Sequence, residues 1–263
     1  MTVPTSSLAA MGAAAAFCFL LPIGVLVRWR RTERVRLLPA LWGALTFLLF
    51  TQVLEAGMHY FCILSDNAVS RAIMGSPWLY MLYGALAAGF FEECGRFLMY
   101  KTVLRRYPER SAAVTAGIGH GGIEAILISA ASLALYLVLA LYWNAGDTDA
   151  LLRLTGSAEA VQAVAASLGK YTVGYCLLAC LERVSAMLLH ISLSVFVFAA
   201  ARNRAKRGYL AFAVGLHAVF DMPAALYQFG CIKQLFPVEL WLIVCALYAL
   251  RSARKCYLEE CDA

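Results

Sequence analysis

The sequence predicts an all-α fold: a polytopic transmembrane helix bundle of about seven spans. Three observations predict it. Of 263 residues, 62% are hydrophobic and only 14% charged, against roughly 45–50% and about 25% in soluble domains. The mean hydropathy is +0.73, an apolar excess that one soluble core of this length could not hide. The apolar residues also fall in runs of about 20, enough for a helix to cross a bilayer core of roughly 30 Å. Barrel strands would be shorter and alternating. Soluble enzymes, disordered chains, nucleic-acid modules and secreted disulfide scaffolds are excluded on these grounds.

The runs lie near residues 7–27, 39–60, 78–100, 112–142, 171–201, 208–229 and 236–251. No basic region precedes the first run, and its first charge, Arg28, lies beyond it, so it reads as an uncleaved span. The first loop carries Arg28, Arg30, Arg31, Arg34 and Arg36. The third carries Lys101, Arg105, Arg106 and Arg110, and the fifth Arg202, Arg204, Lys206 and Arg207. The even-numbered loops are nearly neutral or mildly acidic, with Asp66 and Arg71, then Asp147, Asp149, Arg153 and Glu159, then Lys233 and Glu239. Positive loops stay inside, which predicts an external N-terminus and a cytoplasmic C-terminus bearing Arg251, Arg254 and Lys255. In the long loop 143–169, Leu151, Leu152, Leu154, Val161 and Val164 recur at helical spacing and predict an amphipathic surface helix. With no repeat and no linker, residues 1–263 read as a single integral membrane domain. The nine cysteines include Cys18, Cys94, Cys176, Cys180 and Cys245 within apolar runs and no CxxC, so they read as small buried side chains.

Ionisable residues inside a span are costly and mark function by default. The third span carries FFEECGR, with Glu92, Glu93 and Arg96. The fourth carries GIGHGGIEAI, with His120 and Glu124. The fifth carries LERVSAMLLHISLS, with Glu182, Arg183 and His190, and the sixth GLHAVFDMP, with His217 and Asp221. Spacing of i,i+4 sets His120 with Glu124, His217 with Asp221, and Glu92 with Arg96 on common helix faces. Glu93 is turned about 100° away, so arginine is expected to hold Glu92 and leave Glu93 to work. At 1.5 Å per residue, Glu93, His120, His190 and His217 all fall about 12–16 Å from the cytoplasmic ends of their spans. Glu124 and Asp221 lie at about 20 Å. Chance would scatter them. Glu55 and His59 lie about 25 Å from that side and read as an interfacial pair. Glu182 and Arg183, in the outer half of their span, fit a structural ion pair as well as a catalytic one. The glycines of GIGHGG serve close helix approach rather than binding.

A carboxylate beside imidazoles in a partly wet membrane cavity can activate water. The histidines can stabilise an oxyanion or bind a metal that does so. No HExxH motif is present, so any metal must be gathered across helices. The same buried charges would also suit a proton- or ion-coupled transporter, although no repeat of the usual kind accompanies them. A non-catalytic membrane scaffold is the third alternative.

The four segments together resemble the signatures of the YhfC family of intramembrane proteases, related to PrsW and to the CPBP group with its CAAX prenyl endopeptidases. The resemblance runs from the third span through the sixth. It implies a protease in which Glu92 and Glu93 match the family's double glutamate and Arg96 its basic residue, one position earlier than in the wider CPBP pattern. His120 and Glu124 stand where relatives have Phe-x-x-x-His or Phe-x-x-x-Glu. His190, followed by Ser194, resembles the His-x-x-x-Asn position, and His217 with Asp221 the last polar pair. The expected function is hydrolysis of a peptide bond in or near the membrane, with Glu92, Glu93, Arg96, His120, Glu124, His190, His217 and Asp221 as the catalytic set. A metal-free glutamic reaction is favoured because no compact ligand motif exists. In the metalloprotease alternative, His120, His190 and His217 would bind Zn²⁺. The expected partners are the lipid bilayer and a membrane protein or membrane-associated peptide as substrate, and no nucleic acid. The expected location is a bacterial cell membrane.

Overall fold

The computed structural model describes residues 2–259, and among these the regular structure is helical, with no strand. In chain order the helices are α1 (Thr5–Glu33), α2 (Leu38–Leu64), α3 (Ala68–Met74), α4 (Pro77–Lys101), α5 (Ser111–Ala145), α6 (Thr148–Thr155), α7 (Ala158–Leu168), α8 (Val173–Arg202), α9 (Gly208–Phe229) and α10 (Leu235–Glu259). Each apolar run of the sequence coincides with one helix to within a few residues, apart from polar extensions at the ends. α1, for example, continues through Arg30 and Arg31, cations that suit the negative end of a helix dipole. Among the described residues, six helices are long and apolar enough to cross a membrane: α1, α2, α5, α8, α9 and α10. α4 has 25 residues, about 37 Å at 1.5 Å per residue, which also suffices for a crossing. Its polar cluster is what lowers its hydropathy.

Two helices contain π-helical turns. α2 has them at Phe50–Glu55 and Tyr60–Leu64, and α5 has one at Ala125–Ala130, directly after Glu124. Such turns insert a residue and re-aim the side chains that follow, and they concentrate at functional positions.

The chain divides into two compact units. One takes the residues up to Leu21 together with Ala125–Arg183, and the other takes Pro22–Glu124 and the residues from Val184 onward. In the first unit, Met11 and Ala14 of α1 pack with Leu133, Tyr171 and Cys176. Val3 and Asn144 exchange two hydrogen bonds of 2.8 Å, which ties the start of the chain to the end of α5. The expected surface helix in 143–169 is instead two, broken at Gly156, whose φ of 85° is the left-handed conformation glycine tolerates. Asp147 and Ser157 cap them by accepting from the backbone N–H of Ala150 and Ala160. Leu151 is buried, while Leu152 and Leu154 face outward.

The second unit holds every residue of the expected catalytic set. Its tightest packings are α4 on α9 and α2 on α5. A Cβ on Gly119 of α5 would come within 1.9 Å of the Ala40 carbonyl oxygen, so only glycine lets α2 lie this close. The core below the polar cluster is formed by Tyr100, Leu104, Leu189, Leu193, Phe198, Phe220 and Leu242. Arg202 donates to the carbonyl oxygens of Leu104 at 2.8 Å and Tyr107 at 2.7 Å, satisfying groups left open just past the end of α4.

Candidate functional site

Four helices of the second unit bring their ionisable residues to one place: α4 with Glu92, Glu93 and Arg96, α5 with His120 and Glu124, α8 with His190, and α9 with His217 and Asp221. Glycine makes this possible. A Cβ on Gly89 would meet the Val214 carbonyl oxygen at 2.7 Å, and one on Gly117 the Ile191 Cα at 2.7 Å. α4 therefore lies against the turn of α9 that carries His217, and α5 against the turn of α8 that carries His190. The cluster is dry. Glu93, Arg96 and His120 are fully buried, and His190, His217 and Glu92 nearly so.

Arg96 is the hub. It donates to Glu93 Oε1, to Glu92 Oε2 at 3.4 Å, and to His190 Nδ1 at 2.7 Å. A guanidinium has no acceptor, so His190 Nδ1 must accept and its proton must sit on Nε2, against Glu124. His217 Nδ1 lies 2.8 Å from Glu93 Oε1, and its Nε2 lies 3.4 Å from Asp221. His120 Nε2 lies 2.8 Å from Glu92 Oε2. The ring of His120 stands 5.0 Å from that of His190, and the rings of His190 and His217 are 5.4 Å apart, centroid to centroid. Phe47 meets His120 edge-on at 5.2 Å, a contact from α2 that no polar pattern in the sequence marks.

These partnerships differ from the expected ones in two ways. Arg96 does not neutralise Glu92 and leave Glu93 alone: it clamps Glu93, one turn back, and touches Glu92 more loosely. His120 and Glu124 share a helix face but not a bond, since His120 turns to Glu92 and Glu124 to His190. Within the cluster, Glu93 Oε2 and His120 Nδ1 are buried without a hydrogen-bond partner.

Glu182 and Arg183 lie in the first unit and pair with each other. Glu55 and His59 lie in the second, 3.3 Å apart, and are joined by Tyr83.

Among the described residues, Glu92, His190 and His217 form a group whose donor atoms all lie within 4.8 Å of one another, a spacing that suits a metal ion. His120, expected with His190 and His217 in the metalloprotease alternative, is not part of this group, which includes Glu92. Glu92 and Glu93 are both buried against the single guanidinium of Arg96, so one carboxyl group is in excess there and suits a proton or a cation.

No solved structure matches the chain. The chain is 39% identical over 238 residues to "Uncharacterized membrane protein YhfC" of Bacillus subtilis (strain 168), covering 90% of each protein. The sequence model of a family described as YhfC intramembrane metalloprotease matches residues 17–242, through all four helices that build the cluster. With that match spanning most of its length, the chain belongs to the YhfC intramembrane metalloprotease family.

Proposed function

We propose that the protein hydrolyses a peptide bond in or near the membrane and that Glu92, His190 and His217 hold a zinc ion for the reaction. The observation that carries this reading is the approach of one donor atom from each of the three to within 4.8 Å. Two histidines and a carboxylate are a ligand set that hydrolytic zinc uses. Glu124 against His190 and Asp221 against His217 are outer carboxylates of the kind that orient metal-binding imidazoles. When bound, such an ion polarises the scissile carbonyl and makes water more acidic. The lack of a compact ligand motif favoured a metal-free reaction, and ligands gathered from three helices remove that ground.

The remaining residues divide the proton work. Glu93 is the base: Arg96 fixes Oε1, while Oε2, with no partner, takes a proton from the attacking water. His120 is oriented through Nε2 by Glu92, and its unpartnered Nδ1, once protonated, donates to the oxyanion and then to the leaving amine. The substrate is a membrane protein or a membrane-associated peptide. Seven spans with the N-terminus outside would open the cluster toward the cytoplasmic side. Reporter fusions after Arg36, Arg110 and Arg207 should then read cytoplasmic and fusions in 143–169 external. An external reading at any basic loop overturns this topology.

One observation favours a second, metal-free glutamic reading: the Arg96 guanidinium already lies against two of the three donors. Chelation separates the two. A zinc enzyme loses activity to a chelator and regains it with added metal, whereas a glutamic enzyme is indifferent. If Glu92→Gln and Glu93→Gln both cleave at the parental rate, neither glutamate carries the reaction; if the parent protein cuts no membrane peptide but moves protons or ions across vesicles, transport is the better reading.

A further inference from the structure

The second unit contains another polar group that the reaction does not use. Glu55, at the end of a π-helical turn of α2, is 4% exposed, and its Oε1 lies 3.3 Å from His59 Nε2. His59 Nδ1 lies 2.7 Å from the hydroxyl oxygen of Tyr83 on α4. With Nε2–H turned to the Glu55 carboxylate, Nδ1 accepts the Tyr83 proton, and the phenol oxygen, which the Cys62 thiol also approaches, has two lone pairs and so keeps room for one more donor. Glu55 Oε2 is buried without a partner. A carboxylate and an imidazole thus fix the direction of one tyrosine.

Tyr83 also lines a cavity of about 500 Å³ whose other walls are apolar: Met58 of α2, Leu86, Phe90 and Phe91 of α4, and Val214 of α9. Two of its lining residues adjoin the catalytic cluster along the chain. Phe91 immediately precedes Glu92, and Val214 lies one turn from His217. Along α4, Tyr83 and Glu92 are about 13 Å apart at 1.5 Å per residue. An extended peptide covers that distance in about four residues at roughly 3.3 Å each. A peptide stretched out of its helix exposes amide N–H groups, which hydrocarbon cannot satisfy.

We propose that this cavity is a substrate subsite that takes an unwound, apolar peptide segment, with a large apolar side chain about four residues from the cut and Tyr83 accepting a backbone N–H there. The inference rests on the hydrolytic reading above. A lipid acyl chain would fill the same walls but has no use for an oriented hydroxyl.

The test uses full-length protein in phosphatidylcholine–phosphatidylglycerol vesicles and Leu–Ala peptides of about 20 residues with a central glycine-rich break. One Phe is stepped through the series, and cut site and rate are read by mass spectrometry. Cleavage should be fastest with Phe about four residues from the cut. Leu86→Trp should lower that rate by about 10-fold or more and move the preference to Ala. Leu86 is well exposed, so the larger ring does not enter the core. Tyr83→Phe, which keeps the ring, should slow every cleaved peptide without moving the preference. A parent indifferent to the position of Phe, or a Leu86→Trp profile equal to the parent's, overturns the subsite. If no peptide is cut, the hydrolytic reading fails instead, and a photoactivatable leucine in the peptide reads the cavity directly. Attachment at Met58 or Phe90 then upholds the subsite, and attachment elsewhere overturns it.

Discussion

Arginine is buried at two places in these apolar helices, and the surroundings differ. Arg183 meets the adjacent Glu182, whose side chain is 32% exposed, so one of the two charges keeps contact with its environment. Arg96 is fully buried and meets Glu92 and Glu93, with Glu124 and Asp221 one histidine further on. In the first, one buried guanidinium meets one partly exposed carboxylate of the adjacent residue. The second buries two carboxyl groups, Glu92 and Glu93, against one guanidinium, and the excess must be met by protons or a bound cation. That imbalance, rather than the mere presence of charge, distinguishes a site equipped for chemistry.

The comparison breaks most sharply at the acids. Glu93→Gln should lower peptide hydrolysis at least roughly 10²–10⁴-fold. Glu182→Gln should leave it within about twofold, as expected of a partly exposed pair. Equal losses from the two would mean that both positions act through structure.

Stability comes next. Arg96→Met leaves buried carboxyl groups uncompensated and should cost about 3–5 kcal/mol. Arg183→Met should cost less, because the adjacent carboxyl group of Glu182 is partly exposed whereas Glu92 and Glu93 are buried. Denaturation in detergent micelles measures both. Added Zn²⁺ should return part of the loss in the Arg96 variant and none in the other. A zinc effect on both, or on neither, contradicts a cation at the carboxyl-rich cluster.

The smallest effect concerns the outer carboxylates. Glu124→Gln and Asp221→Asn should each weaken zinc binding by roughly 10–100-fold, read by titrating metal-free protein. Glu182→Gln should bind as the parent does. Unchanged affinity in both cluster variants would remove these residues from the support of His190 and His217.

Much of this was legible in the sequence, for separable reasons. Helix positions follow from apolar runs whose length the bilayer fixes, and the four polar segments are visible because charge in such runs is rare. Pairing was less legible. An arginine at i+4 from Glu92 is also at i+3 from Glu93, and either reach is feasible on a helix; packing of α9 against α4 brings His217 to Glu93 and decides it. His120 and Glu124 read as partners on one helix, yet each finds a closer group on a neighbouring helix. Tyr83 and Phe47 carry no charge and sit among many aromatic residues, so their roles depend on contacts that local spacing does not encode. The π-helical turns beside Glu55 and Glu124 were equally hidden, since one extra residue per turn leaves no mark on hydropathy.

The grip of Arg202 on the carbonyls beyond α4 has a mechanical consequence. It pins the end of the helix that carries both glutamates to the end of the helix that carries His190, and so acts as a fulcrum. Glu93 then sits on a lever arm of about 12 Å, counted from the end of α4. A tilt of only about 5° would move its carboxylate by roughly 1 Å, a displacement that can change a reaction rate by about 10². A lipid or substrate that leans on the opposite end of α4, near Pro77, would therefore tune the reaction without touching any group that performs it.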